Sequence, residues 1–277
     1  MIYLVLGIVV LGFLAIRKAR PASNKSGIGF KPVPEFSVSV KQNTQASLDE
    51  SQQQQGLLKV ATYNIQTGKS LSGQRDIHAS ARVVSSAHLV GIQEVYAPSW
   101  LNIFGIGTSQ SEQLAAHGGF SWLFSATRLR WLREHRGNTL LSKLAISDWQ
   151  IKMLPDQSGK SYRNLTIAKA QWGSKTFHVL NTHLHTRKGR DQQIDTVLRE
   201  FAQYSPAILM GDFNCTSKEL TAALSDVDIS DAIAIAQLDP QENQRIDWIL
   251  TKGFSVEGGK FQEKGVSDHP YYQVNLR

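Results

Sequence analysis

The chain has 277 residues, 41% hydrophobic and 19% charged, which suits one globular domain of fair size carrying an appendage. Its single cysteine, Cys215, excludes an internal disulfide framework and a multi-cysteine zinc site. The net charge is +7, of which residues 57–277 hold +4; this mildly basic body permits a phosphate-bearing partner without demanding one.

Met1 to Ile16 has no charged side chain, and Arg17, Lys18 and Arg20 follow at once. As a helix, this run spans roughly 24 Å against a ~30 Å hydrocarbon core, a gap that snorkelling arginines and local thinning can close. A cleaved signal peptide would carry its basic residues before the apolar run rather than after it. Residues 1–20 are therefore expected to form an uncleaved, single-pass transmembrane anchor. The positive-inside rule places residues 17 onward in the cytoplasm. Residues 21–56, punctuated by Pro21, Pro32 and Pro34 and closing on Gln52-Gln53-Gln54-Gln55-Gly56, read as a flexible linker. As coil, their ends would lie on the order of 30–35 Å apart.

In the body, residues 57–277, Leu57–Ile65 alternates and is β-branched, so it predicts a strand that ends on Asn64. Asp76 can N-cap a helix running to Ala87. Leu89–Val95 is a second buried strand, interrupted by Glu94. A carboxylate there must be exposed at the strand end, paired, or bound to a metal ion. The two strands and the helix describe a βαβ-like unit with its polar residues at one sheet edge. Residues 99–120 read as a surface excursion with a short helix over Ser111–His117. Arg128, Arg130, Arg133 and Arg136 then surround Trp131. They suit either a phosphate grip with a stacking ring or a solvated basic face with Trp131 tucked inward, and the second carries more weight.

A strand pair runs from Gly137 through Lys152. Arg163–Gln171 and Lys175–Thr182 are consecutive strands; the second delivers Asn181, His183 and His185 on one face. Arg190–Gln203 is an amphipathic helix with Ile194, Val197, Leu198 and Phe201 on its apolar side. Ala207–Met210 is an apolar strand that reaches Gly211, then Asp212-Phe213-Asn214. Strand alternation would aim Asp212 and Asn214 at one site and Phe213 at the core. Arg245–Leu250 is a strand with Asp247 inside it, and Ser267-Asp268-His269-Pro270 is a turn. His269 is the natural general base, because its ordinary pKa lies near neutrality. Such a base needs an acceptor on its other ring nitrogen. Asp247 suits this better than Asp268, which would have to fold back on its neighbour, so Asp268 is left for metal or water.

These motifs together, TYN at 62–64, QE at 93–94, GNTLLSK at 137–143, NTHLH at 181–185, Arg190 with Gln193, ILMGDFN at 208–214, RIDWIL at 245–250 and SDHP at 267–270, resemble the endonuclease/exonuclease/phosphatase superfamily in its own order. The resemblance implies an α/β fold: a four-layer α/β/β/α sandwich of two mainly antiparallel sheets with its site at one edge. It implies a metal-dependent phosphodiesterase. Carried over by position, Glu94 is the principal metal ligand with Asn64 and Asp268. Asp212 and Asn214 orient water and a phosphate oxygen, His269 held by Asp247 handles the proton or the developing charge, and His183 hydrogen-bonds the phosphate. Asn181 and Arg163 are expected at the substrate. Hard oxygen ligands favour Mg2+ or Mn2+ over zinc. The implied substrate is a phosphodiester, nucleic acid ahead of a phospholipid headgroup, with a sphingomyelinase-like enzyme or phosphatase as the alternative and a non-catalytic binding module behind both. No obligate protein partner is evident.

Overall fold

Alternating β-branched runs dominate the body, and their backbone groups find partners in two sheets. In the computed structural model the described residues are 19–32, 56–99, 107–157, 159, 162–224, 228–240 and 242–277. Two short strands, β1 (Arg20–Pro21) and β2 (Lys25–Ile28), precede β3 (Leu58–Asn64). Helix α1 (Ile77–Val84), capped by Asp76 accepting from the Ala79 N–H at 3.0 Å, leads into β4 (Leu89–Ala97). Next come α2 (Gln110–Gly118), β5 (Ser121–Leu129), β6 (His135–Ser142) and β7 (Ile146–Met153). They are followed by β8 (Asn164–Trp172), β9 (Lys175–His183), α3 (Arg190–Ala202) and β10 (Ala207–Asp212). The chain closes through α4 (Ser217–Leu224), β11 (Ser230–Asp231), α5 (Ala232–Ile235), β12 (Asp247–Lys252), β13 (Val256–Gln262) and β14 (Tyr271–Leu276).

The first sheet runs β1-β5-β6-β4-β3-β14-β13 and the second β11-β12-β10-β9-β8-β7-β2. Among the described strands only β3–β4 and β9–β10 pair parallel, and each of these crossovers carries a helix, α1 and α3, the usual form of the long connection that parallel strands need. Three apolar layers follow. Leu58, Val60 and Leu140 of the first sheet meet Val179, Ile208 and Ile249 of the second between the sheets. On the outer face of the first sheet, Ala81 and Val84 of α1 and Leu114 of α2 pack on Val90 and Ile92. On the outer face of the second, Ile194, Val197 and Phe201 of α3 and Leu220 of α4 pack near Leu180, Leu209 and Phe213. Two mixed sheets with a few helices outside agree with the expected sandwich.

Residues 1–18 of the expected membrane anchor lie outside the described residues, Arg20 already belongs to β1, and among the described residues no helix is long and apolar enough to cross a membrane. The linker reading needs correction over its first part. Residues 20–28 are built into both sheets: β1 pairs with β5 at the edge of the first, and β2 pairs with β7 at the edge of the second. Phe30 packs against the inter-sheet core, and the Trp149 indole N–H donates to the Gly29 carbonyl at 2.8 Å. Edge strands are held mainly by backbone pairing, so a segment with few apolar side chains gives no periodic signal in the sequence. The remainder of the expected linker, residues 33–55, lies outside the described residues.

Candidate active site

The register of the second sheet assembles the centre. Asp212, the last residue of β10, stands opposite His183 of β9 on one side and Asp247 of β12 on the other. Gly211 makes this possible: at φ +147°, a Cβ built on it would sit 2.0 Å from the Thr182 carbonyl oxygen on the parallel neighbour. The first sheet contributes Asn64 from the end of β3. Its amide donates to Asp212 Oδ2 at 3.0 Å and lies 3.4 Å from His269 Nε2. The Ser267 hydroxyl donates to the Asn64 carbonyl at 2.7 Å and so ties the His269 turn to β3. His269 Nδ1 is 2.8 Å from Asp247 Oδ2, the pairing expected over Asp268. His183 Nε2 and His269 Nε2 stand 3.3 Å and 3.7 Å from the same Asp212 oxygen.

The electrostatics follow from burial and crowding. Burial, then the neighbouring Asp247 carboxylate, pushes the Asp212 carboxyl up to about 7, against opposing help from His269, Asn64 and the Asn214 N–H. Burial alone would depress His269, but the Asp247 carboxylate beside it, with Asp212 and Asp268, outweighs burial and holds it up at about 9. Burial keeps His183 neutral, well below the usual imidazole range, with Arg163 and His269 pushing the same way.

Several expected roles change. Asn214 does not continue the strand alternation. It sits at φ +51°, its N–H donates to Asp212 Oδ1 at 2.9 Å, and its side-chain amide donates to the Leu184 carbonyl at 3.0 Å. It braces Asp212 rather than facing outward beside it. Asn181 is fully buried between the sheets, accepting from Gln93 at 2.9 Å and donating to the Thr139 carbonyl at 3.1 Å. This corrects its placement at the substrate: an amide with both ends satisfied in the core has nothing left to offer a ligand. His185 Nδ1 accepts the Arg187 N–H in a local turn.

Glu94 is half-buried at φ +57°, within a bulge of β4 between Ile92 and Val95. The bulge answers the question the sequence posed, because it swings the carboxylate out of the buried strand. Glu94 lines a cleft of 180 Å³ with His183, Arg163, Arg128, Arg136 and Asn138. Asp268, Asp247 and His269 line a second cleft, of 490 Å³. The expected metal ligands are thus divided: Glu94 and Asp268 belong to different clefts, with Asn64 between them in contact with Asp212 and His269. Asp212, Asp247 and His269 form the compact group, each offering one ligand atom within 4.8 Å of the others.

A divalent cation fits this chemistry. Asp247 Oδ1 is buried without a hydrogen-bond partner among the described residues, beside a second buried carboxylate. The Asn64, Glu94, Asp212, Asp247 and Asp268 donors are all hard oxygens. Two supports escaped the sequence reading. Ser267 was visible only as part of a turn, and Gln93 only as the neighbour of Glu94. Arg190 and Gln193, singled out by pattern alone, prove to be clamps. Arg190 donates to the Asn214 carbonyl at 2.6 Å, and Gln193 bonds the His185 N–H and the Pro155 carbonyl.

A two-sheet sandwich with buried carboxylates and imidazoles gathered where its strands end defines a metal-dependent phosphoester hydrolase. The sequence profile of the Endonuclease/Exonuclease/phosphatase family matches residues 61–269, and the chain belongs to that family of divalent-metal-dependent phosphoesterases and nucleases. Against curated protein sequences the chain has no match. Among solved structures it is similar to an endonuclease/exonuclease/phosphatase family protein from Leptotrichia buccalis C-1013-b. That likeness has TM-score 0.63 and 18% identity over 79% of this chain and 99% of the other. The human Nocturnin catalytic domain, solved with a sulfate anion, gives TM-score 0.59 and 17% identity over 80% and 93%. D. rerio TDP2, solved with a single-strand DNA product, gives 0.57 and 15% over 80% and 99%. At these identities the likeness establishes the fold.

Proposed function

We propose that this enzyme is a Mg2+-dependent phosphodiester hydrolase of the nuclease kind, held at a membrane by Met1–Ile16 with its catalytic domain on the cytoplasmic side. The observation that carries the reading is the meeting of Asp212, Asp247, His183, His269 and Asn64 across both sheets, in a group no packing requirement explains. The DNA product on TDP2 and the sulfate on Nocturnin support an anionic phosphoester as substrate, and the apolar N-terminus supports the tether. Glu94, Asn64 and Asp268, with the Asp212/Asp247/His269 group alongside, are the residues that would hold Mg2+ or Mn2+. When bound, the cation supplies positive charge to the phosphoryl oxygens.

The chain's own residues do the rest. Asp212, fixed by Asn64 and Asn214, orients the attacking water and takes its proton in place of His269, which the surrounding carboxylates keep protonated near neutral pH. His269, held through Nδ1 by Asp247, presents Nε2 to a phosphoryl oxygen as negative charge grows there. Neutral His183 and Arg163, whose Nε has no partner among the described residues, donate to the same phosphoryl group. The second reading, a lipid-headgroup phosphodiesterase, draws on the anchor alone.

The test is to incubate the full chain, in detergent with Mg2+, with plasmid, short oligonucleotides and sphingomyelin. Asp212→Ala is expected to abolish plasmid nicking by a factor on the order of 10² or more. Choline phosphate release without any cleavage of DNA would move the assignment to the lipid enzyme.

A further inference from the structure

The four arginines around Trp131 do not act as one patch. Trp131 is 38% exposed, not tucked inward, and the Arg20 guanidinium lies 5.3 Å over its ring. Arg130 pairs with Glu134 at 3.9 Å. Arg128 and Arg136 instead enter the cleft that holds Glu94 and His183. Register puts them there: Arg128 of β5 pairs directly with Arg136 of β6, and Arg136 pairs with Tyr96 of β4, two residues past Glu94. The row therefore runs sideways from Tyr96, two residues along β4 from Glu94, its backbones about one and two strand spacings from that tyrosine, roughly 5 and 10 Å.

Two features mark this row as a binding surface. Like charges at directly opposed strand positions repel, a cost that a bound anion would reverse. The Arg136 guanidinium is also held in place, 5.1 Å from the centroid of buried Tyr96, a ring that Arg75 approaches at 5.4 Å. With Arg163, the described lining of the cleft counts three guanidinium groups against the single carboxylate of Glu94. A lone phosphodiester brings one negative charge, fewer than the guanidinium groups of the lining. A zwitterionic choline headgroup adds a cation and no second negative charge to match the guanidinium row.

We propose that Arg128 and Arg136 form a subsite for a second phosphate of the substrate, next to the scissile one, so that the enzyme acts on polyanionic phosphodiesters such as oligonucleotides. This rests on the phosphodiesterase reading above and adds what the substrate must carry beyond the bond that breaks. Guanidinium forks bind phosphate oxygens bidentately, which makes arginine the apt residue for the task.

The experiment compares a thymidine dinucleotide with the same dinucleotide bearing a terminal phosphate, using the full chain and Mg2+. The wild-type enzyme should favour the phosphorylated form by at least about tenfold, expressed in KM rather than kcat. The double substitution Arg128→Gln/Arg136→Gln should shrink that preference to about threefold or less, and Arg136→Lys should retain part of it. Calorimetry of the metal-free protein with inorganic pyrophosphate gives a readout independent of turnover, and the double variant should bind at least about tenfold more weakly. Equal use of both dinucleotides by the wild type, or an undiminished preference in a folded double variant, overturns the subsite while leaving the phosphodiesterase intact. Failure to cleave the dinucleotides, plasmid and sphingomyelin alike, with pyrophosphate affinity lost on Arg128→Gln/Arg136→Gln, overturns the phosphodiesterase reading and leaves an anion site.

Discussion

His269 shows how a residue can be identified correctly by its type and yet behave differently in its surroundings. An imidazole in the SDHP turn and a carboxylate inside an apolar strand could be paired from the sequence, because a basic imidazole needs an acceptor on its other ring nitrogen and the adjacent Asp268 would have to fold back to supply it. The direction of the shift could not be foreseen. It depends on Asp247, Asp212 and Asp268 arriving together from three parts of the chain. In the metal-free protein the His269 imidazole is expected to titrate at about 9, and Asp247→Asn should bring it back towards 6.5; NMR of the ring protons across pH reads both. The sign for stability follows. A folded value above the unfolded one gives stabilisation that is full below about 6.5 and is lost as pH rises through about 9. Denaturant midpoints of the metal-free chain should therefore fall across that window, and fall less in the Asp247→Asn variant.

At the scale of elements, the strands were largely legible, since β-branched alternation and glycine-bounded runs mark them to within a few residues. Their register and their facing partners were not. Asn181 and His183 share a strand face, and period-two reasoning treated them alike. Only the packing of β9 against the first sheet separates them, giving His183 to Asp212 and Asn181 to Gln93 and Thr139. The fit there is tight: a Cβ at Gly91 would come within 2.6 Å of Asn181 Oδ1 and 2.7 Å of the Met210 side chain. Asn181→Ala is expected to destabilise by about 1–3 kcal/mol, because the buried Gln93 amide loses an acceptor, with KM unchanged. Urea titration and steady-state kinetics together check this. A raised KM in a variant of normal stability would restore Asn181 to the substrate. The Glu94 bulge also left no mark in the sequence, which showed only a carboxylate out of place.

Taken whole, the molecule is fastened by residues that looked dispensable. β1 and β2 complete one edge of each sheet, so the catalytic body starts near residue 20 and not at 57. A chain begun at residue 57 should expose both edges and lose the packing of Phe30. It is expected to melt at least about 5 °C below one begun at residue 19, and to aggregate sooner, by differential scanning calorimetry and light scattering.

The same strap changes what the N-terminus can do mechanically. Under the proposed anchoring, the long segment at 33–55 is no tether, because the chain on both sides of it, at Lys31 and at Leu58, is already part of the body. Only Arg17, Lys18 and Ala19 separate the apolar run from the first strand. Fully stretched, three residues give about 10 Å. The enzyme would ride the bilayer like a rudder on a short post, working on what passes along the lipid surface and unable to sweep the surrounding fluid.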